Sequence, residues 1–135
     1  MSTLLEIALR VAWKFVGTFY RWGGDDPSGF DCSGLAIEIL KSVGFVPRNY
    51  DSTAQGIYNK FRDKEVSEPS AGCFIFWSVN GKIVHIEFCI NETHTIGASG
   101  GGSSTTSIEA AEKQNAYVKV RPIREGYSNI INPFL

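Results

Sequence analysis

The sequence predicts an α+β fold, with helices in the first half of the chain and an antiparallel sheet in the second. Apolar residues recur at helical spacing before residue 62. From residue 73 onward the apolar runs are short, β-branched or aromatic, and separated by turn signals. Such a separation of helices from strands along the chain is typical of α+β proteins. The length of 135 residues and the apolar share of 43% fit a single domain, residues 1–135, with its own core.

The first helix is predicted by a stripe of apolar residues that would pack on the core: Leu4, Leu5, Ala8, Val11, Ala12, Phe15 and Val16. Thr3 and Glu6 have the spacing of a capping box, which indicates where the helix begins. Gly17 indicates where it ends.

Two further helices are expected before the strands. The turn-forming residues 23–30 lead into a helix that begins near Cys32 and ends at Gly44. A third, short helix is expected from Ser52, because Ser52 and Gln55 repeat the capping-box spacing.

The second half of the chain contains four predicted strands, at residues 73–77, 83–90, 93–98 and 116–122. Asn80 and Gly81 form a tight-turn signal between the first two strands, and Asn91 lies in the turn between the next two. Residues 99–107 are all Gly, Ser or Thr and predict a flexible loop.

Composition and charge argue against several classes of partner. The formal net charge of −1 gives no broad basic face for nucleic acid or an anionic membrane. No apolar run approaches the roughly 18–20 residues that span a bilayer. Because Glu6, Arg10 and Lys14 interrupt the first segment, no signal peptide is expected. The sequence therefore predicts neither a nucleic-acid nor a membrane partner.

Cys32 is the candidate nucleophile, because it lies where a glycine-rich loop enters a helix. The partial positive charge at a helix N-terminus favours a thiolate and lowers the pKa of a thiol placed there. Taken alone, a cysteine at this position is more often a small buried side chain at a helix start. Cys73 and Cys89 lie inside strand patterns and are expected to be inert free thiols.

His85 is the candidate general base. Strand alternation separates His85 and Glu87 from the predicted core-facing residues, Val84, Ile86 and Phe88. An imidazole on that strand face could take the thiol proton and later return it to a leaving amine. An ordinary exposed polar position is the alternative. His94 falls on the opposite face in the expected hairpin and is interpreted as structural.

The sequence contains no metal or cofactor motif. There is no CxxC pair, and two cysteines with one histidine do not have zinc-site spacing. The glycines at 100–102 lack the lysine and the following helix of a phosphate-binding loop. No metal and no cofactor are therefore expected.

The segment around Cys32 resembles a known family, the NlpC-type cell-wall cysteine peptidases. The match lies in Tyr20-Arg21-Trp22-Gly23-Gly24, Pro27 and Gly29-Phe30-Asp31-Cys32-Ser33-Gly34-Leu35. Residues 71–76 and 85–88 resemble two strands of the family more loosely. The resemblance implies a papain-like fold that hydrolyses amide bonds in peptidoglycan stem peptides, between D-glutamate and the following diamino acid. The peptidoglycan stem peptide is the partner that it implies.

The resemblance also assigns roles to individual residues. It makes Cys32 the nucleophile and His85 the base. Tyr20, Asp31 and Ser33 match positions that line the substrate pocket, where Asp31 and Tyr20 would hold the free amine of the stem peptide. A carboxylate can bind an ammonium group through a charge-assisted hydrogen bond.

The chain departs from the family pattern beside the base. The family's third polar residue lies twelve positions after the base, where this chain has Gly97. Glu87 replaces a family glycine and shares the face of His85, so we expect it to complete the catalytic set. Thr95 or a main-chain carbonyl could serve instead, and the alternative for Glu87 is an ordinary glutamate that points to solvent. If the hairpin turns around Asn91, His85 lies opposite Gly97, and Glu87 lies opposite Thr95.

The sequence alone leaves two other functions open. One is a papain-like amidase or acyltransferase acting on another substrate. The other is a non-catalytic interaction module of a phage tail or similar assembly. The absence of a signal peptide suggests a phage-encoded or injected protein, virion-associated or cytoplasmic until phage tail or delivery-apparatus proteins bring it to the cell wall.

Overall fold

The computed structural model describes residues 2–26, 29–101 and 104–135, and its architecture is the predicted α+β fold. The described α-helices are α1 (Thr3–Lys14), α2 (Cys32–Ser42), α3 (Ala54–Phe61) and α4 (Ile108–Gln114). A short 3₁₀ helix, Arg62–Lys64, follows α3. A small antiparallel pair, β1 (Asp25–Asp26) and β2 (Gly29–Phe30), precedes α2.

The main sheet has five antiparallel strands. They are β3 (Phe74–Val79), β4 (Lys82–Cys89), β5 (His94–Ser99), β6 (Tyr117–Pro122) and β7 (Asn129–Ile131). Their order across the sheet is β6-β5-β4-β3-β7. The four predicted strands are thus confirmed, with ends shifted by one or two residues. β7 and α4 were not predicted. The N-cap of α4 is Ser107, the last residue of the predicted loop.

Two helices begin one residue away from their predicted caps. The N-cap of α1 is Ser2 rather than Thr3, and the N-cap of α3 is Thr53 rather than Ser52. In both places two neighbouring hydroxyl residues could accept from the first turn. The residue with extended backbone immediately before the helical turns takes that role.

Both faces of the sheet are covered. The helices pack on one face over a core that includes Leu35, Ile39, Phe74, Ile86 and Phe88. A smaller apolar cluster on the other face contains Cys73, Ile75, Trp77, Cys89 and Ile130.

The predicted stripe of α1 is only partly buried. Ala8 and Ala12 are fully covered, whereas Leu4 and Val16 are exposed.

None of the helices in the described ranges has the length and apolar character needed to cross a membrane.

The hairpin of β4 and β5 has a register two residues away from the predicted one. Phe88 lies opposite Ile96 and Cys89 opposite Thr95. The turn is wider because Oδ1 of Asn91 accepts the main-chain N–H groups of Thr93 and His94, rather than Asn91 forming the centre of a tight turn. Because side chains alternate with a period of two, a register shift of two residues does not by itself move a side chain to the other face.

Candidate active site

An open cleft of about 1070 Å³ lies between the start of α2 and the sheet. Five of the six predicted site residues line it: Tyr20, Asp31, Cys32, Ser33 and His85. The sixth, Glu87, lies behind His85, and its side chain is 0% exposed. The cleft is also lined by Trp77, Arg121 and Arg124, which the sequence did not single out for function.

Asp31 fixes the position of Cys32 by capping α2. Its Oδ1 accepts the main-chain N–H of Gly34 at 2.7 Å and the hydroxyl of Ser33 at 3.3 Å, and its Oδ2 accepts the N–H of Gly23 at 3.1 Å. Burial raises the pKa of Asp31, while the two main-chain hydrogen bonds lower it, and the net direction is upward. Cys32 is therefore held as the first residue of the helix.

Gly34 is required where the glycine-rich loop packs on the first turn of α2. A Cβ atom at this position would lie 1.9 Å from the carbonyl oxygen of Gly24. No side chain fits at such a distance, so the Gly in the Asp-Cys-Ser-Gly segment permits the close approach. The local packing explains why the loop and the helix start form a single unit.

Burial raises the pKa of the Cys32 thiol to about 11, and the charge of Asp31 adds to this effect. Hydrogen bonds from the backbone of Ile86 and Ser33 lower it, but they do not outweigh burial. The expectation of a lowered pKa from the helix N-terminus is therefore wrong for this structure. The sulfur nevertheless lies against the backbone of Ile86, the residue that follows His85.

His85 lies at a β-bulge. Trp77 pairs with His85 and Ser78 pairs with Ile83, so Val84 is an extra residue in β4. Strand alternation predicted that Val84 faces the core together with Ile86. The bulge instead leaves Val84 52% exposed. His85 lies directly after the bulge and lines the cleft, where its ring centroid lies 5.5 Å from that of Trp77.

Glu87 accepts hydrogen bonds from three side chains. Nε2 of His85 lies 2.6 Å from Oε2, and the hydroxyl of Thr95 donates to Oε1 at 2.6 Å. Arg121 donates from Nε to Oε1 at 3.3 Å and from Nη2 to Oε2. Burial favours the neutral acid, but the hydrogen bonds from His85 and Arg121 outweigh it and lower the pKa of Glu87 to about 2.

The charge on Glu87 determines the tautomer of the neutral His85 ring. An ionised carboxylate only accepts hydrogen bonds, so Nε2 must carry the proton that it donates to Oε2. The unprotonated nitrogen of a neutral ring is then Nδ1. His85 is thereby prepared to accept a proton at Nδ1 while Glu87 holds the other side of the ring.

Glu87 occupies the space that a side chain at Gly97 would need. A Cβ atom on Gly97 would lie 2.5 Å from Cγ and 2.9 Å from Cδ of Glu87. The expectation that Gly97 lies opposite His85 is wrong, because the register found brings it beside Glu87. A carboxylate from β4 therefore stands in the place of a side chain from β5.

Sequence reasoning missed Arg121, although one signal was available. Tyr117, Lys119 and Arg121 alternate with Val118 and Val120, which places Arg121 on the polar face of β6. Its pairing opposite Thr95 brings it to Glu87. Arg124 lies beyond the strand, where no periodicity could have indicated its place.

The remaining candidate residues lie outside the cleft lining. His94 is the first residue of β5, where its Nδ1 lies 2.8 Å from the hydroxyl of Thr93. Cys73 and Cys89 are fully buried, and burial raises the pKa of Cys89. Within the described ranges, no group of three or more His, Cys, Asp or Glu side chains could hold a metal ion.

The comparisons with known sequences point in one direction. A family model described as "NlpC/P60 family" matches residues 17–122. The "Probable peptidoglycan endopeptidase LytE" of Bacillus subtilis is 34% identical over 111 residues, which cover 82% of this chain and 30% of that protein. The "Probable endopeptidase p60" of Listeria seeligeri is 28% identical over 101 residues, which cover 74% of this chain and 18% of that protein.

A comparison with solved structures agrees. The peptidoglycan hydrolase RipB of Mycobacterium tuberculosis superposes with a TM-score of 0.72 at 25% identity, over 96% of this chain and 64% of that one. The part of LytE and of the Listeria p60 protein that matches this chain is less than a third of the length of each protein. The match to RipB covers nearly the whole fold described above.

Proposed function

The chain belongs to the NlpC/P60 family, and we propose that it is a cysteine endopeptidase acting on peptidoglycan stem peptides, at the amide between D-glutamate and the following diamino acid. One observation carries the proposal: Cys32 and His85 line the same cleft, and Glu87 holds Nε2 of His85. These three positions supply a nucleophile, a base and a group that orients the base.

The reaction begins with a thiol rather than a stable thiolate, since burial raises the pKa of Cys32. Nδ1 of His85 takes the thiol proton as Sγ attacks the scissile carbonyl carbon. The main-chain N–H of Cys32, at the start of α2, stabilises the resulting oxyanion. Collapse breaks the C–N bond, and His85 gives its proton to the leaving amine. Water then hydrolyses the thioester by the same steps.

The acyl half of the substrate lies on the α2 side of the cleft, beside Asp31, Tyr20 and Ser33. Three donors already contact the carboxylate of Asp31, which leaves about one of its four acceptor positions for an ammonium group. The Tyr20 ring packs against Gly101, where a Cβ atom would lie 2.4 Å from the ring. Delivery by a phage tail or similar apparatus stays a prediction from the sequence.

The proposal is tested by incubating the protein and its Cys32→Ala variant with defined muropeptides and identifying the products by mass. The wild type is expected to release the diamino-acid portion, and the variant to release nothing while keeping its thermal stability. Ser42→Ala, on α2 outside the cleft lining, is the control and should retain turnover. Binding without hydrolysis by the wild type would indicate an interaction module. Hydrolysis that survives Cys32→Ala would also refute the proposal.

A further inference from the structure

Resting on the proposed function, we propose that Arg124 binds a carboxylate on the amine half of the substrate, the half that leaves first. Its guanidinium lies over the ring of Trp77, 4.7 Å from the ring centroid. The Arg124 side chain is 47% exposed, and both residues line the cleft. Stacking on an aromatic ring restricts the guanidinium and leaves its edge available for hydrogen bonds to an anion.

Arg124 shares the negative charge of Glu87 with Arg121. An ionised carboxylate has about four acceptor positions. Thr95 and Arg121 contact Oε1, while His85 and Arg121 contact Oε2, so four contacts already use that capacity. Nη2 of Arg124 lies 3.6 Å from Oε2, which is longer than a hydrogen bond. Two guanidinium groups therefore surround a single carboxylate, and the excess positive charge faces the cleft.

Two residues that line the cleft, Trp77 and Ser99, each have a buried polar atom without a hydrogen-bond partner among the described residues. Trp77 is 9% exposed, and its Nε1 has no hydrogen-bond partner among the residues that the structure describes. The hydroxyl of Ser99, which also lines the cleft, is buried and lacks a partner in the same part of the chain. Buried polar groups are normally paired, so the hydrogen-bonding capacity of this part of the cleft is not fully used by the residues that the structure describes.

The position of Arg124 assigns it to one side of the scissile bond. His85 must lie within hydrogen-bond distance of the leaving nitrogen in order to protonate it. The ring of Trp77 lies beside His85, with centroids 5.5 Å apart, and Arg124 covers Trp77. The wall that Trp77 and Arg124 form therefore borders the leaving amine. Asp31, at the start of α2, borders the acyl half.

The cleft thus has an acidic end and a basic end. This polarity fits a short peptide with an ammonium group before the scissile amide and a carboxylate after it. Two carboxylates have the required chemistry: the α-carboxylate of a terminal diamino acid, and a carboxylate on the side chain of that residue. A longer stem peptide with lysine at this position would provide neither, because the α-carboxyl of that lysine is bonded to the next residue.

The test uses three L-Ala-γ-D-Glu-Xaa substrates, in which Xaa is lysine amide, lysine with a free α-carboxylate, or diaminopimelate with only its side-chain carboxylate free. Wild-type protein is expected to have a ten- to hundredfold higher kcat/KM for at least one carboxylate substrate than for lysine amide, the size expected for a charge-assisted hydrogen bond. The preferred substrate identifies which carboxylate is bound. Arg124→Gln should remove most of that preference.

Arg62→Gln is the matched control, because Arg62 also stacks on an aromatic ring, that of Tyr58 at 5.7 Å, but does not line the cleft. It should keep the wild-type preference, and thermal unfolding should confirm that both variants fold. Equal hydrolysis of all three substrates by the wild type would overturn the inference and leave the proposed function standing. An equal loss on all three in Arg124→Gln would also overturn it, because Arg124 would then act through Glu87. Failure of the wild type to hydrolyse any of them would refute the proposed function itself.

Discussion

Replacing Glu87 with glutamine keeps the shape of the side chain and removes its negative charge. In the folded protein the pKa of Glu87 is about 2, compared with an ordinary value of 4.5. This difference corresponds to about 3 kcal/mol in favour of the charged form. Glu87→Gln should therefore lower the free energy of unfolding at pH 7 by up to about 3 kcal/mol. It should also lower kcat at least tenfold with little change in KM, because a neutral amide no longer requires the proton of His85 to lie on Nε2.

The assay combines steady-state hydrolysis of a defined muropeptide with urea unfolding at several pH values. Because folding depresses the pKa of Glu87, its stabilising contribution is complete above about pH 4.5 and is lost as the pH falls towards 2. The stability difference between wild type and Glu87→Gln should shrink over that interval. Glu65→Gln is the control, since Glu65 also binds two side chains, Tyr58 and Asn129, but lies outside the cleft lining.

A kcat within twofold of wild type in folded Glu87→Gln would refute the positioning role. Loss of stability alone, with turnover preserved, would mean that Glu87 only satisfies buried donors.

Three further results are expected. Gly97→His should lower both thermal stability and turnover, because its Cβ would lie 2.5 Å from Cγ of Glu87. Adding Glu87→Gly should restore part of both, whereas a Gly97→His variant as active as wild type would contradict the steric conflict between the two side chains. Asp31→Asn keeps a good helix cap but removes the negative charge, so kcat/KM should fall tenfold or more on substrates with a free N-terminal amine and less on N-acylated ones. An equal loss on both kinds of substrate would mean that Asp31 acts only as the helix cap. The rate of Cys32 alkylation by iodoacetamide should increase up to about pH 11, and peptide mapping should show more labelling of Cys32 than of the buried Cys73 and Cys89. A rate that no longer increases above pH 7 would mean that the thiol is already ionised at pH 7.

Local signals in the sequence account for much of the fold and for the start of the site. Turn-forming residues followed by an N-cap place Cys32 at the beginning of α2, and both features depend only on near neighbours along the chain. Strand alternation likewise assigns His85 and Glu87 to the polar face of β4. The two-residue error in the hairpin register did not disturb this assignment, because side chains alternate with a period of two.

The energetics of the site depend on tertiary packing. Burial reverses the expected direction of the Cys32 pKa shift, since desolvation outweighs the local effect of the helix start. The bulge in β4 leaves Val84 exposed instead of in the core, and the pairing of β5 with β6 brings Arg121 to Glu87.

The residue types of the site and the local elements that carry them can be read from the sequence. The position of Glu87 in the space above Gly97 and that of Arg124 over Trp77 depend on how distant strands pack. The physical reason is that hydrogen bonding, desolvation and charge compensation act over a few ångströms in space. The groups concerned are separated by ten to nearly fifty positions along the chain.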